Sequence, residues 1–184
     1  MPATTLDPNT ALILIDLQKG ILARPAVHPI DGIVANAAAL ARAFRLRRLP
    51  VVLVNVAGAA PGRTEQGTGG GRFPAEWTEL APELDPGPED LRVTKHRWGA
   101  FTDTGLEARL RDRAITQVVI AGVATSIGVE STARQAHELG FNVTLAVDAM
   151  TDRDLDAHHN SIARIFPRLG ETGTTEELLG LLRA

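Results

Sequence analysis

The chain has 184 residues, a formal net charge of -3 and 44% hydrophobic residues. It contains no cysteine, which excludes disulfides, thiolate metal sites and a cysteine nucleophile. This length and composition are typical of one globular domain, predicted here over residues 1–184. Because the net charge is small and negative, we expect no nucleic-acid partner.

Membrane and metal sites are also not expected. No apolar run approaches the roughly 20 residues that span a bilayer, and the N-terminal residues lack the basic and apolar regions of a secretory signal. The five histidines form no metal-ligand motif. We therefore predict a cytoplasmic protein with no membrane partner, no metal and no other cofactor.

Short apolar runs alternate with helical patterns along the chain. Runs rich in Val and Ile are typical of strands buried on both faces of a parallel sheet. They predict strands at residues 11–15, 51–54, 118–121 and 143–147, with a weaker one at 91–94. Helical spacing and capping residues predict helices at residues 33–44, 106–113, 131–139, 157–166 and 176–182. This alternation predicts a doubly wound α/β sheet.

Residues 57–71, after the second predicted strand, are rich in glycine and show no periodicity. Two interpretations stay open, a mobile surface loop and a substrate lid. A phosphate-binding loop is excluded because the required glycine and lysine spacing is absent.

Polar residues follow several predicted strands, where ligands bind in open parallel sheets. Asp16 follows the first strand and Lys95 the weak strand, while Asp148 follows the strand at 143–147. An acid and a lysine that meet in one crevice can hold and move a proton. The alternatives are a helix cap for Asp16 and a solvated surface charge for Lys95.

The segment Ala-Thr-Ser-Ile-Gly at residues 124–128 lies between a predicted strand and a predicted helix. It is similar to the Gly-x-Ser-x-Gly turn of serine hydrolases. Ser126, Asp148 and His158 or His159 then follow in the order of a serine triad. Small residues are expected at such a turn in any case, so a serine hydrolase using Ser126 is one hypothesis among several.

Three colinear segments together resemble the isochorismatase-like hydrolases. They are Asp16-Leu17-Gln18, Lys95-His96-Arg97-Trp98-Gly99-Ala100-Phe101, and the segment from Ala121 to Arg134 that contains Gly-Val-Ala-Thr-Ser. The resemblance covers nearly the whole chain. It implies a three-layer α/β/α fold with a six-stranded, Rossmann-like parallel sheet, and a homo-oligomer, either a dimer or a tetramer.

The resemblance also implies the site. Many members use an Asp, Lys and Cys triad on amides; Asp16 and Lys95 match its first two positions, and Gly128 matches the third. Because the nucleophile is missing, we expect a cysteine-independent hydrolase of a small molecule. In members without the cysteine, the aspartate acts as a general acid on a vinyl ether, and water traps the oxocarbenium ion.

Several details remain expectations at this point. Burial would raise the pKa of Asp16, and Lys95 would oppose that rise. The resemblance implies a cis peptide before Ala124, with the Gly128 N–H as a second donor to the substrate. The predicted substrate-binding residues are Gln18, Trp98, Phe101, Ala124 and Ser126.

The bond that is cleaved, a vinyl ether or an amide-type bond, is left open. Two alternatives accompany the hydrolase hypothesis. One is a non-catalytic small-molecule-binding or scaffold protein that lost its nucleophile. The other is the Ser126 hydrolase, which the resemblance disfavours because Ser126 lies two residues before the nucleophile position.

Overall fold

A computed structural model describes residues 3–65 and 67–183. Its main sheet has six parallel strands in the order β5-β2-β1-β6-β7-β8, and a separate two-stranded hairpin contains β3 and β4. The strands are β1 (Thr10–Ile15), β2 (Val51–Val56), β3 (Gly62–Thr64), β4 (Gly67–Gly69), β5 (Leu91–Lys95), β6 (Gln117–Val123), β7 (Asn142–Thr151) and β8 (Glu171–Gly173).

The chain builds the sheet outward from β1 in one direction and then in the other. It passes from β1 through β2 to β5, and then returns to the opposite side of β1 to form β6, β7 and β8. Strand order therefore reverses between β1 and β6. In open α/β sheets, ligands bind at the carboxyl ends of the strands beside such a reversal.

Helices cover both faces of the sheet. They are α1 (Lys19–Leu22), α2 (Ile30–Leu46), α3 (Leu106–Arg111), α4 (Glu130–Glu138), α5 (Leu155–Asn160) and α6 (Thr175–Arg183). Apolar side chains of α2 and α6 pack into one core cluster, and those of α3 and α4 pack into another. The predicted three-layer α/β/α architecture is thus confirmed. None of the helices in the described part of the chain combines the length and apolar character needed to cross a bilayer.

Differences from the predicted elements are local. The strand β8 was missed because the sequence Glu-Thr-Gly is short and polar. The strand β7 continues to Thr151, four residues beyond its predicted end. The predicted helix at 157–166 is divided into α5, a π-helical turn at Ser161–Ile165 and a 3-10 turn at Phe166–Arg168, where Pro167 has no N–H to continue a helix.

The glycine-rich segment at 57–71, predicted as a mobile surface loop or a substrate lid, contains the exposed hairpin of β3 and β4.

Gly122 near the end of β6 allows this strand to approach β1 closely. Its φ is 122°, and a Cβ atom at this position would lie 2.1 Å from the Ile15 carbonyl oxygen. Any larger residue would therefore push the two strands apart. Gly122 thus keeps the end of β6, and the turn that follows it, beside the end of β1.

Candidate active site

A cavity of about 220 Å³ opens at the carboxyl edge of the sheet, beside the strand reversal. Asp16, Lys95 and Gly128 line its buried side, which we call the cavity floor. Arg24, Arg97, Trp98 and Arg153 line its solvent side, which we call the cavity mouth. The apolar walls between them include Phe73, Trp77 and Ile127.

An ion pair joins the ends of two strands at the cavity floor. Asp16 directly follows β1, and Lys95 is the last residue of β5. These strands are separated by β2, so their backbones lie about 10 Å apart. The long lysine side chain spans this gap, and Lys95 Nζ lies 2.7 Å from Asp16 Oδ2 and 3.1 Å from the Arg97 carbonyl oxygen.

The Asp16 carboxyl is held in an unusual electrostatic state. The side chains of Asp16 and Lys95 are 6% and 2% exposed. Burial raises the pKa of Asp16 from 3.8 to about 6, even though the Lys95 ammonium lowers it. Asp16 Oδ1 has no hydrogen-bond partner among the described residues. This carboxyl can therefore carry a proton near neutral pH.

The turn after β6 forms the other side of the cavity floor. The Val123–Ala124 peptide is cis, as the resemblance implied. A π-helical turn at Thr125–Val129 follows it and carries Gly128. A Cβ atom at Gly128 would lie 3.3 Å from Asp16 Oδ2 and 2.9 Å from Ile15 Cγ2. The turn thus packs closely against the Asp16 carboxyl and the end of β1, and glycine at position 128 permits this close approach.

Comparisons with known proteins identify the family of the chain. The isochorismatase domain matches residues 10–177. The chain belongs to the isochorismatase family. It is 44% identical to the uncharacterized isochorismatase family protein YwoC of Bacillus subtilis, covering 93% of each chain, and 40% identical to YecD of Escherichia coli O157:H7, covering 95% and 96%. An isochorismatase family protein from Burkholderia thailandensis is 42% identical, covers 98% of each chain and superposes with a TM-score of 0.93.

The structure brings together part of the site that the sequence predicts for this isochorismatase-family hydrolase. Asp16, Lys95, Gly128, Trp98 and Ala124 line the cavity. The remaining predicted residues, Gln18, Phe101 and Ser126, are not among the residues that line it.

Gln18 and Phe101 make contacts elsewhere instead. The Gln18 amide donates to the Val56 carbonyl oxygen at 3.0 Å and accepts from the Val56 N–H at 2.7 Å. It therefore ties the segment after β1 to the end of β2. Phe101 packs against the core, with its ring centroid 6.0 Å from that of Phe141. Neither residue lines the cavity, and a role for them in substrate binding stays a prediction.

The serine triad is not assembled. Asp148 lies within β7, not at its end, and its Oδ1 accepts hydrogen bonds from the Thr175 N–H and hydroxyl at 2.7 and 2.8 Å. It therefore caps α6. His158 is buried, and its Nδ1 lies 2.8 Å from Thr125 Oγ1. The positions of Asp148 and His158 therefore do not support the hypothesis of a Ser126 hydrolase.

Several cavity residues were missed from the sequence. Arg24, Phe73, Trp77 and Arg153 lie in or beside loops, where no periodicity marks them. Trp77 carried one usable signal, because it is one of only two tryptophans in the chain. The Arg24 guanidinium lies 5.5 Å from the Trp77 ring centroid. Within residues 3–65 and 67–183, no three His, Asp or Glu side chains group as metal ligands.

Proposed function

We propose that this isochorismatase-family hydrolase cleaves a small vinyl ether without a covalent enzyme intermediate, with Asp16 as the general acid. The observation that carries this proposal is the buried environment of the Asp16 carboxyl. Burial raises its pKa to about 6, the residue lines the cavity, and its Oδ1 atom has no hydrogen-bond partner among the described residues. A carboxyl of this kind can donate a proton near neutral pH.

Asp16 alone can donate the proton that the reaction needs and take one back at the end. The protonated carboxyl gives its proton to the terminal carbon of the vinyl ether, which becomes an oxocarbenium ion. Water adds to that ion and returns a proton to the Asp16 carboxylate, and the resulting hemiketal collapses to a ketone and an alcohol. Lys95, 2.7 Å from Asp16 Oδ2, stabilises the carboxylate that forms when the proton leaves.

Gly128 supports a mechanism without a nucleophile. Glycine has no side-chain atom that could attack a substrate, and Gly128 lines the cavity floor next to Asp16. The apolar walls at Phe73, Trp77 and Ile127 suit a ring. The three guanidinium groups at the cavity mouth favour an anionic substituent such as a carboxylate.

Hydrolysis of isochorismate tests this proposal, because cleavage of its vinyl ether releases pyruvate, which a coupled assay measures. We expect turnover by the wild-type protein and a loss of about 10²- to 10⁴-fold in Asp16→Asn, the range for removing a general acid. Asp112→Asn, at an exposed position, is the matched control. Circular dichroism checks that each variant is folded.

Two results would contradict the proposal. Asp16→Asn that turns over isochorismate as fast as the wild type would remove Asp16 from the chemistry. A wild-type protein that hydrolyses nothing, together with amidase activity in Gly128→Cys, would favour the non-catalytic binding or scaffold protein.

We also propose that the protein is a homo-oligomer, a dimer or a tetramer, of single-domain chains. Trp98 and Ile127 support this because they are 64% and 38% exposed, which leaves apolar surface beside the cavity. Sedimentation would show a species at two or four times the 19.6 kDa of the chain, and a monomer at all concentrations would contradict it. The cytoplasmic location stays a prediction of the sequence.

A further inference from the structure

Two buried side chains hold the turn at Thr125–Val129 from behind. His158 Nδ1, on α5, lies 2.8 Å from Thr125 Oγ1. The carboxylate of Asp152, just after β7, accepts the Ser126 N–H at 2.7 Å through Oδ2. His158 and Asp152 are only 4% and 3% exposed. The two residues that follow Ala124 are thus anchored one after the other.

Asp152 is itself fixed in place. Its Oδ1 accepts the Arg153 N–H at 2.7 Å, so each carboxylate oxygen has a backbone donor. Its carbonyl oxygen accepts the Val27 N–H at 2.9 Å. Asp152 therefore connects the turn to the end of β7 and to the loop before α2, which makes it a rigid support for the Ser126 amide.

The cavity floor depends on this support. Ala124 and Gly128 line the cavity, and Gly128 lies beside the Asp16 carboxyl. A movement of the turn would therefore change the space in which substrate or water meets Asp16. We infer that Asp152 and His158 are positioning residues of the active site, and that protonation of His158 loosens the turn. This inference rests on the proposed function for its link to catalysis.

The surroundings of His158 explain why a proton would loosen the turn. The ring of His28, from the loop before α2, lies 4.7 Å from the His158 ring, and that of His159, on α5, lies 5.8 Å away. Asp152, after β7, is the facing acid. On α4, the Glu130 carboxylate already accepts hydrogen bonds from Ser161 and Arg134. A charged His158 would thus be buried beside two other imidazoles.

The sign of the pH dependence follows from the pKa of His158. Burial lowers this pKa below the ordinary value of 6.5, His28 and His159 lower it further, and Asp152 opposes them. When the turn detaches from His158, the imidazole regains its ordinary pKa. As the pH falls below 6.5, His158 therefore takes up a proton more readily in this opened state than in the closed state, in which the turn is anchored. The closed turn is therefore fully stable above pH 6.5 and loses stability below it.

Amide hydrogen exchange at Ser126 and Gly128 tests the inference without substrate. The exchange rates are converted to protection factors, which correct for the intrinsic pH dependence of exchange. In the wild type we expect protection to fall between pH 7 and pH 5. His158→Ala should lower protection about tenfold at pH 7, which corresponds to one lost hydrogen bond. His158→Asn keeps a polar atom near Nδ1 but cannot titrate, so it should restore protection and remove the pH dependence.

The neighbouring exposed histidine provides the matched control. His159→Ala should leave protection at Ser126 within about twofold of the wild type. Asp152→Ala should lower it at every pH, and Asp152→Asn, which keeps an acceptor oxygen, should lower it less. Unchanged protection in His158→Ala, or a His158→Asn variant that keeps the wild-type pH dependence, would overturn the inference.

Kinetics then separate this inference from the proposed function. If wild-type protein hydrolyses isochorismate, His158→Ala should lower kcat about tenfold with little change in KM, and His158→Asn should recover it. Equal kcat in all three proteins would remove the catalytic part of the inference. Absence of turnover in wild-type protein would instead contradict the proposed function. It would leave the inference about the turn intact, because the exchange measurements involve no substrate.

Discussion

The cavity floor and the cavity mouth are built in opposite ways. The floor groups Asp16 and Lys95 come from strand ends, are almost fully buried and are paired at 2.7 Å. The mouth groups Arg24 and Arg153 come from loops and are exposed, and Trp98 is 64% exposed. Rigid elements thus carry the group proposed to move a proton, while loops carry groups that can adapt to the shape of a ligand.

Burial makes the two regions respond differently to substitution. A charge at the floor is desolvated, so its partner strongly affects both pKa and stability. A charge at the mouth is screened by water and salt within about 10 Å. We therefore expect floor substitutions to change kcat and the free energy of unfolding, and mouth substitutions to change mainly KM.

After Asp16→Asn, the largest effect is expected from Lys95→Met. It leaves the buried Asp16 carboxyl without its cation, so the free energy of unfolding should fall by about 3 kcal/mol, and the pKa of Asp16 should rise further. The kcat for isochorismate should fall about 10²-fold, because the carboxylate that forms is no longer stabilised. Urea unfolding and steady-state kinetics measure the two changes.

The double variant Asp16→Asn/Lys95→Met is its control. It removes both charges, so it should recover most of the lost stability while staying inactive. If Lys95→Met is as stable as the wild type, the ion pair at the floor has no structural importance, and the contrast with the mouth is lost.

Gly128→Ala should have an intermediate effect. Its methyl group would lie 3.3 Å from Asp16 Oδ2 and 2.9 Å from Ile15 Cγ2, which crowds the Asp16 carboxyl and the end of β1. We expect kcat to fall about tenfold, with a destabilisation of about 1 kcal/mol from overpacking. A variant with unchanged kcat would mean that the reacting bond lies elsewhere in the cavity.

Gly32→Ala is the matched substitution, because a Cβ atom at Gly32, in α2, would meet nothing within 4 Å. It should leave kcat unchanged and add about 0.5–1 kcal/mol of stability, the helix preference of alanine over glycine.

The smallest effects are expected at the mouth. Arg153→Gln and Arg24→Gln should each raise KM for isochorismate about three- to tenfold, with kcat within about twofold of the wild type, because an exposed guanidinium attracts the substrate anion without meeting the reacting bond. The wild-type KM should also rise with salt, and less steeply in these variants. Arg164→Gln, at an exposed position outside the cavity lining, is the control. A fall in kcat that is larger than the rise in KM would contradict the distinction between the cavity floor and the cavity mouth.

The same contrast explains what the sequence can predict. Asp16 and Lys95 follow apolar runs whose length identifies them as strands, and parallel strands end at one edge, so their meeting could be predicted. The positions of Arg153 and Trp77 in the cavity could not be predicted, because loop geometry depends on tertiary contacts that leave no periodicity in the sequence. Asp148 was misplaced for a related reason: β7 continues past Val147, which turns that carboxylate toward the start of α6.

The pH dependence of kcat/KM for isochorismate tests the central claim most directly. If Asp16 is the general acid, kcat/KM falls tenfold per pH unit above an apparent pKa of about 6, and His158→Asn keeps this alkaline limb. A kcat/KM that rises through pH 6 would contradict the claim, because Asp16 would then act as a base, as hydrolysis of an amide-type bond requires.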